Sequence, residues 1–528
     1  MNTEVSKKSK FIYLPLLVLM FTQIGTSGDN AVLSVATNAL MSALHANMND
    51  IQLANMVYSL CAGAFMIAGG MLGIIIGWKK NFRIGVVLAI LGEFMLALSS
   101  NVFMFIWGGR FLVGLGASFM IPSVLGLIPG IYEGNDRVFA FGAIGAATGI
   151  AACVGPIVAG VLLDKFGFRI AFGALAVYFI LILAGSFYIP DVKKSEKKLK
   201  LDLVGIVGTA IGLFIFLIGI SKVSVWGLIT PIHAPFTIFG ISPAIPCIIF
   251  GLVILGIMVV IEKRVEEANG CALLPQSFIK SAQVRAGLVA SAMVFLYLGA
   301  TVMLINPYLQ LVGGFNAVMT GVAMISVGLP MFLFSMGIPK FFPNAHPKKI
   351  LQIGYILLAV SVIPMAFSLQ ETGVSYLMYV GLAIAGAGQG MVSAQASNVV
   401  AVAVNERDAQ QSGGIQATAR NVGQAIGVAL LGMVMIFTIT SDISGQVSHD
   451  DKISNQVAVA EESKTYSFLS DQNFEKTISD IQMSEVEKQE SMHINAEARI
   501  HSTSKALYVL GFIAVLCLFT TPGIKKVK

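Results

Sequence analysis

Residues 286–339 read AGLVASAMVFLYLGATVMLINPYLQLVGGFNAVMTGVAMISVGLPMFLFSMGIP, without a single Asp, Glu, Lys or Arg. A helix needs about 20 apolar residues, at about 1.5 Å each, to cross the hydrocarbon core of a bilayer. The stretch is too long for one crossing and long enough for two. The polar break Gly313-Gly314-Phe315-Asn316 divides it.

The same reading extends to both sides. Residues 11–28 are free of charge; Asp29 then interrupts, and the apolar pattern resumes to about Leu40. Further runs are 51–78, 84–98 with Glu93 inside, 102–123 with Arg110 inside, 138–163, 170–190, 203–221 and 243–261. After the central pair come 350–369, 375–400, 412–440 with Arg420 inside, and 506–524. The pattern predicts an all-α polytopic membrane protein of fourteen transmembrane helices. Composition agrees: of 528 residues, 56% are hydrophobic and 12% charged, against about 25% charged in soluble domains. Soluble enzymes, disordered regulators and secreted disulfide scaffolds are excluded on that ground. The alternating ten-residue strands of an outer-membrane barrel are absent from the sequence.

Charge sets the expected topology. Lys and Arg number 34 against 28 Asp and Glu, a net of +6. Residues 441–504 hold 12 acidic and 5 basic residues, so the rest of the chain is strongly basic. Its cations sit in short loops on one side: Lys79, Lys80 and Arg83; Arg137; Lys193 to Lys200; Lys263 and Arg264; Lys340, Lys348 and Lys349; Arg407. Both termini carry lysines too. The positive-inside rule places that side, and both termini, in the cytoplasm, with a bacterial inner membrane expected. Lys165, Arg169 and Lys222 are exceptions. The cations read as topology and not as a nucleic-acid footprint. The five cysteines show no metal-ligand spacing and read as small packing residues.

Cytoplasmic linkers at 190–202 and 262–285 group the helices as six, two and six. The expected units are 1–190, a six-helix bundle; 191–282, two extra helices; and 283–528, a second six-helix bundle carrying the acidic loop 441–504 outside. Two pseudo-symmetric halves are the pattern of transporters that rock about a midplane site. The acidic loop reads equally as a small hairpin or as a segment without fixed structure.

Charge within a span costs about 2.5–3.5 kcal/mol on insertion scales and marks a functional candidate. Asp29, in GTSGDNAVLSVA, is the leading candidate for proton uptake or for facing a cationic group. Glu93 and Arg110 lie at similar depth on helices of opposite sense, which predicts an ion pair between them. Arg420, in GIQATARNVGQAIG, reads as a structural donor to carbonyls of a neighbouring helix. Met303, Tyr308, Gln310 and Met391 are candidates for an adaptable pocket lining. Small residues at Gly145 and Gly149, and at Gly423 and Gly427, suit close helix approach. Pro156, after Gly155, removes a backbone hydrogen bond inside the fifth helix.

These residues resemble the major facilitator superfamily, in its fourteen-helix drug:proton antiporter branch. The fifth-helix segment GIAACVGPIVAG (Gly149, Gly155, Pro156, Gly160) is similar to the antiporter motif. GGRFLVGLGASFMIPS matches the fourth-helix motif at Arg110, Gly114 and Gly116, with Val113 where Gln is common. DNAVLSVA resembles the first-helix motif with Asp29 at its acidic position. In the loop between helices two and three, GGMLGIIIGWKKNFR keeps Gly70, Gly77 and the basic residues, but places Ile74 and Ile75 where the family has Asp and a following Arg. The resemblance implies proton-coupled efflux of small amphipathic or cationic compounds by alternating access, with Asp29, Glu93 and Arg110 in coupling. It implies no enzyme activity, cofactor or metal. The partners it implies are a small-molecule substrate, protons and lipid, with the chain acting as a monomer. A specific metabolite or siderophore, exported or imported with protons, is the alternative cargo.

Overall fold

The computed structural model describes residues 13–36, 40, 43–44, 48–192, 202–231, 234–269, 273–404, 406–448 and 483–524, with positions 453, 474–475, 478–479 and 481 between the last two segments. The architecture is all helical. In chain order the long helices are α1 (Tyr13–Val35), α2 (Met48–Ile76), α3 (Trp78–Leu98), α4 (Met104–Ile131), α5 (Gly134–Leu163) and α6 (Lys165–Tyr188). Next come α7 (Leu203–Trp226), α8 (Ala244–Asn269), α9 (Ala282–Val312), α10 (Ala317–Phe341), α11 (Pro347–Phe367), α12 (Tyr376–Ala401), α13 (Glu406–Val447) and α14 (Glu485–Leu518). Among the described residues, 13 helices are long and apolar enough to cross a membrane. The remaining one is α1, whose Gln23, Asp29 and Asn30 lower its hydropathy but whose 23 residues suffice in length.

Side-chain-free positions decide how the helices meet. Gly77 takes a positive φ of 98° and turns α2 sharply into α3, a conformation that a Cβ would oppose. Gly167, with φ 77°, kinks the chain in the first turn of α6, just past the end of α5; helical geometry runs on through Pro156. On α5, a Cβ at Gly149 would lie 3.0 Å from the carbonyl oxygen of Gly328 on α10, and one at Gly328 would lie 2.5 Å from that of Gly149. The antiporter-like segment is therefore one face of a backbone-to-backbone contact with α10. Gly70 on α2 meets Gly414 on α13, with an added Cβ 2.7 Å from the Gly414 Cα. Gly423 and Gly427 press against the carbonyls of Ala292 and Leu296 on α9.

Two large apolar clusters form. One gathers side chains from Leu16 to Ile189, joined by Ala401 and Ala417. The other gathers side chains from Ala286 to Ile524, joined by Cys153 of α5. Helices α7 and α8 pack on each other, and α7 also touches α2 and α13.

The acidic segment corrects its expected bounds. Instead of a loop over 441–504, α13 continues to Val447 and α14 begins at Glu485. Ile439, Ile443 and Val447 repeat at helical spacing and are buried, as are Ile494 and Ala498 opposite them. Ser484 and Glu487 form a reciprocal capping box that starts α14. Ile453, Phe474 and Ile478 are buried in the same cluster. Polar composition concealed two amphipathic extensions; most of 449–482 lies outside the described residues.

Candidate functional site

The π-helical turn Met104–Arg110 opens α4. One such turn shifts the register of the residues after it, and π segments recur at functional sites. Here the turn ends on Arg110, whose side chain is fully buried. Gly114, one turn further, lets α4 approach α2: an added Cβ would sit 2.7 Å from the Tyr58 carbonyl oxygen. Gly92 does the same for α3, since a Cβ there would lie 2.8 Å from the Val113 nitrogen and 3.0 Å from the Gly109 oxygen. Gly116 repeats the contact one turn lower, against the Gly85 carbonyl at 2.7 Å. Small residues thus bring α2, α3 and α4 together at the level of Arg110.

Arg110 pairs with Asp29 and not with Glu93. Its Nη1 lies 2.7 Å from Asp29 Oδ1 and 2.8 Å from Oδ2, and neither residue is exposed. Arg110 Nε donates to the Ala54 carbonyl at 3.4 Å. The guanidinium lies 4.6 Å from the centre of the Tyr58 ring, a cation–π contact. The Tyr58 hydroxyl donates to the Thr26 carbonyl of α1 at 3.4 Å. The expected Glu93–Arg110 pair is corrected because α1 inserts a carboxylate between them. Both Asp29 oxygens gather on the single nitrogen Nη1, which gives a short charge-assisted contact.

Glu93 completes the group. It is fully buried, and among the described residues no N–H or O–H donates to either carboxyl oxygen. The charged groups that reach it are Asp29 and Arg110, and Asp29 is close enough to share a proton with it. Two carboxyls and one guanidinium in a low-dielectric interior carry a net −1 when both acids are ionised. One proton brings the group to zero.

The other candidates are placed as follows. Arg420 donates from Nη2 to Ser397 Oγ on α12 at 2.9 Å, a side chain and not the expected carbonyl. It lies 5.3 Å from the Phe295 ring centre. Tyr308 is buried, and its hydroxyl accepts from the Gln370 amide at 2.9 Å and faces the Gln370 and Gly373 carbonyls, so it fastens the loop between α11 and α12. Gln310 is exposed and Met303 half-buried. Met391 packs in a separate small cluster with Ile338, Ile350 and Ala394. Tyr308 thus fastens a loop, and Met391 is buried among apolar side chains.

Sequence reasoning missed Tyr58 and Asn81. Asn81 on α3 is fully buried and donates to the Gly69 carbonyl of α2 at 2.9 Å and to Ser123 Oγ of α4 at 2.9 Å. It ties three helices at the end where the family's loop Asp is replaced by Ile74. Asn81 sits among Lys79, Lys80 and Arg83 between two apolar runs, so nothing in the sequence set it apart from a loop residue.

A family model described as Major Facilitator Superfamily matches residues 19–428. A probable actinorhodin transporter of Streptomyces coelicolor is 26% identical over 442 residues, covering 81% of this chain and 73% of that protein. A tetracenomycin C resistance and export protein of Streptomyces glaucescens is 26% identical, covering 77% and 73%. A riboflavin transporter of Clostridioides difficile is 22% identical, covering 81% and 89%. Among solved structures, the proton:xylose symporter XylE aligns over 96% of this chain and 94% of that one, with a TM-score of 0.58 and 13% identity. At that identity the likeness concerns the fold.

Proposed function

Since the chain belongs to the Major Facilitator Superfamily, and is a multi-pass membrane transporter, we propose that it exports a small amphipathic compound in exchange for protons. Alternating access of the two six-helix units, 1–190 and 283–528, about the intervening helices is the motion proposed. The observation that carries the coupling is the buried trio of Asp29, Arg110 and Glu93. Antibiotic export or resistance among the named relatives supports the cargo class. The riboflavin transporter supports the second reading, a specific metabolite.

Glu93 is the proton carrier in this proposal, in place of Asp29. Asp29 already has both oxygens on Arg110, so its charge is balanced by the guanidinium. Glu93 has neither an ion-pair partner of its own nor a hydrogen-bond donor. When it is protonated the trio is neutral and stable in low dielectric. When it loses the proton, the surplus negative charge draws a donor-bearing or cationic group of the cargo. Proton and cargo therefore compete for one carboxyl, the requirement of exchange.

The trio lies where α1, α2, α3 and α4 meet, within the first apolar cluster. Movement of one unit against the other alters its exposure without unfolding any helix. We place both termini in the cytoplasm of a bacterial inner membrane. The test is transport in proteoliposomes holding the full chain. An imposed pH gradient is expected to drive cargo accumulation, and an uncoupler to abolish it. Accumulation driven by ATP and indifferent to the gradient would overturn the proposal.

A further inference from the structure

Among the residues of 283–524 whose side chains are described, Arg420 and Arg499 are buried and no Asp or Glu is. Arg420 stands on α13, with Ser397 Oγ as its one recorded hydrogen-bond partner. Its Nε is buried without an acceptor, and no carboxylate among the described side chains pairs with it. A guanidinium offers five donors in a planar fork. Here one donor is used, and among the described side chains no carboxylate balances the positive charge.

Three buried polar atoms on the helices that meet at Arg420 are also open. Gln416, one turn below on the same face of α13, leaves Oε1 unsatisfied. Asn398, next to Ser397, leaves Oδ1 unsatisfied. Ser291 of α9, at the level set by the contact of Gly423 with Ala292, leaves its Oγ unsatisfied. A structural arginine in a bilayer protein uses its donors on carbonyls or acids. This one is held from one side by Phe295 and from another by Ser397, with its remaining donors unspent. It keeps 7% exposure, whereas Arg110 has none.

We propose that Arg420 receives an anionic group, a carboxylate, on the transported molecule. This rests on the transporter reading above and names its cargo class more closely. The molecule is bipolar, with its acidic end on Arg420 and its donor-bearing end toward Glu93. The register along α2 fits that span. Arg110 lies at Ala54 and Tyr58 of α2, whereas Asn421, adjacent to Arg420, lies at Gly63 and Met66. Eight or nine residues of helix separate the two levels by about 12–13 Å, the length of a fused-ring aromatic molecule with substituents at both ends. The charges also balance. The ionised trio carries −1 and Arg420 +1, and a bipolar molecule satisfies both without adding net charge to the interior.

The test is equilibrium dye binding to the purified full chain in detergent, with a rhodamine that bears a free carboxylate and with the methyl ester of the same dye. The two differ in one charge at the same size. In Arg420→Gln the carboxylate dye is expected to bind about ten- to hundredfold more weakly, the worth of a charge-assisted hydrogen bond. The ester should change less than about twofold on the same reasoning. Arg420→Lys should restore part of the carboxylate affinity. Because an unpaired buried charge is removed, Arg420→Gln is expected to melt no lower than the unmodified chain. The proposal is overturned if the unmodified chain fails to bind the carboxylate dye. It is equally overturned if Arg420→Gln affects both dyes alike, or if that variant melts lower with dye discrimination unchanged. No proton gradient enters this measurement, so a failure of proton coupling in liposomes and a failure of carboxylate recognition are read separately.

Discussion

Asp29 and Arg110, 81 residues apart, meet through both carboxylate oxygens at 2.7 and 2.8 Å, with neither side chain exposed. Such a pair gains little over an apolar replacement, but removal of one partner strands the other charge. The pair fixes α1 against α4 and leaves Glu93 as the acid without a donor.

The first expected outcome concerns that pair. Arg110→Gln alone should destabilise by about 3–5 kcal/mol, because it leaves two buried acids without a cation, and Asp29→Asn should cost less, because Glu93 remains to balance Arg110. The double variant should cost clearly less than the two singles together. Thermal unfolding of the purified chain measures this. Strict additivity would show that the two side chains do not interact.

Glu93→Gln should leave the fold intact, since a neutral amide of the same size replaces a carboxyl without a donor. Uphill transport driven by a pH gradient should be lost, while exchange of labelled for unlabelled cargo across the liposome wall persists. Gradient-driven transport at the unmodified rate would remove Glu93 from the coupling.

The contact between α5 and α10 should tolerate no side chain at Gly328. A Cβ there would sit 2.5 Å from the Gly149 carbonyl and 2.9 Å from Cys153 Sγ. Gly328→Val should force the helices apart, lowering transport and raising passive proton leak. Gly173 has open space around it, so Gly173→Ala should leave transport unchanged and stabilise the helix by about 0.5–1 kcal/mol. Equal behaviour of the two variants in a leak assay would show that close approach is not needed.

Cysteines introduced at Ser448, just past α13, and at Val486, exposed in the first turn of α14, should react in intact cells with an impermeant maleimide. Thirteen crossings from a cytoplasmic N-terminus end outside. Peptide mapping locates the label. Reaction only after lysis would reverse the orientation.

Charge-free runs of about 20 residues, interrupted at Gly313 to Asn316 and by Asp29, already specify helices that cross a bilayer, because only helices and closed barrels satisfy backbone groups there and barrel strands are shorter and alternate in polarity. The four charges within those runs are likewise visible in sequence, since each is costly where it stands. Which of them meet is not. Asp29 prevails over Glu93 for Arg110 because the glycine contacts of α2, α3 and α4 and the π turn before Arg110 set rotation and depth, and no sequence period encodes those across helices. The acidic segment shows the same limit. Its charge pointed to a loop, but Ile439, Ile443, Val447, Ile494 and Ala498 find an apolar partner only once α13 and α14 lie side by side. Element type is local, fixed by hydropathy along the chain. Pairing depends on packing between segments distant in the chain, and that packing exists only in the folded protein.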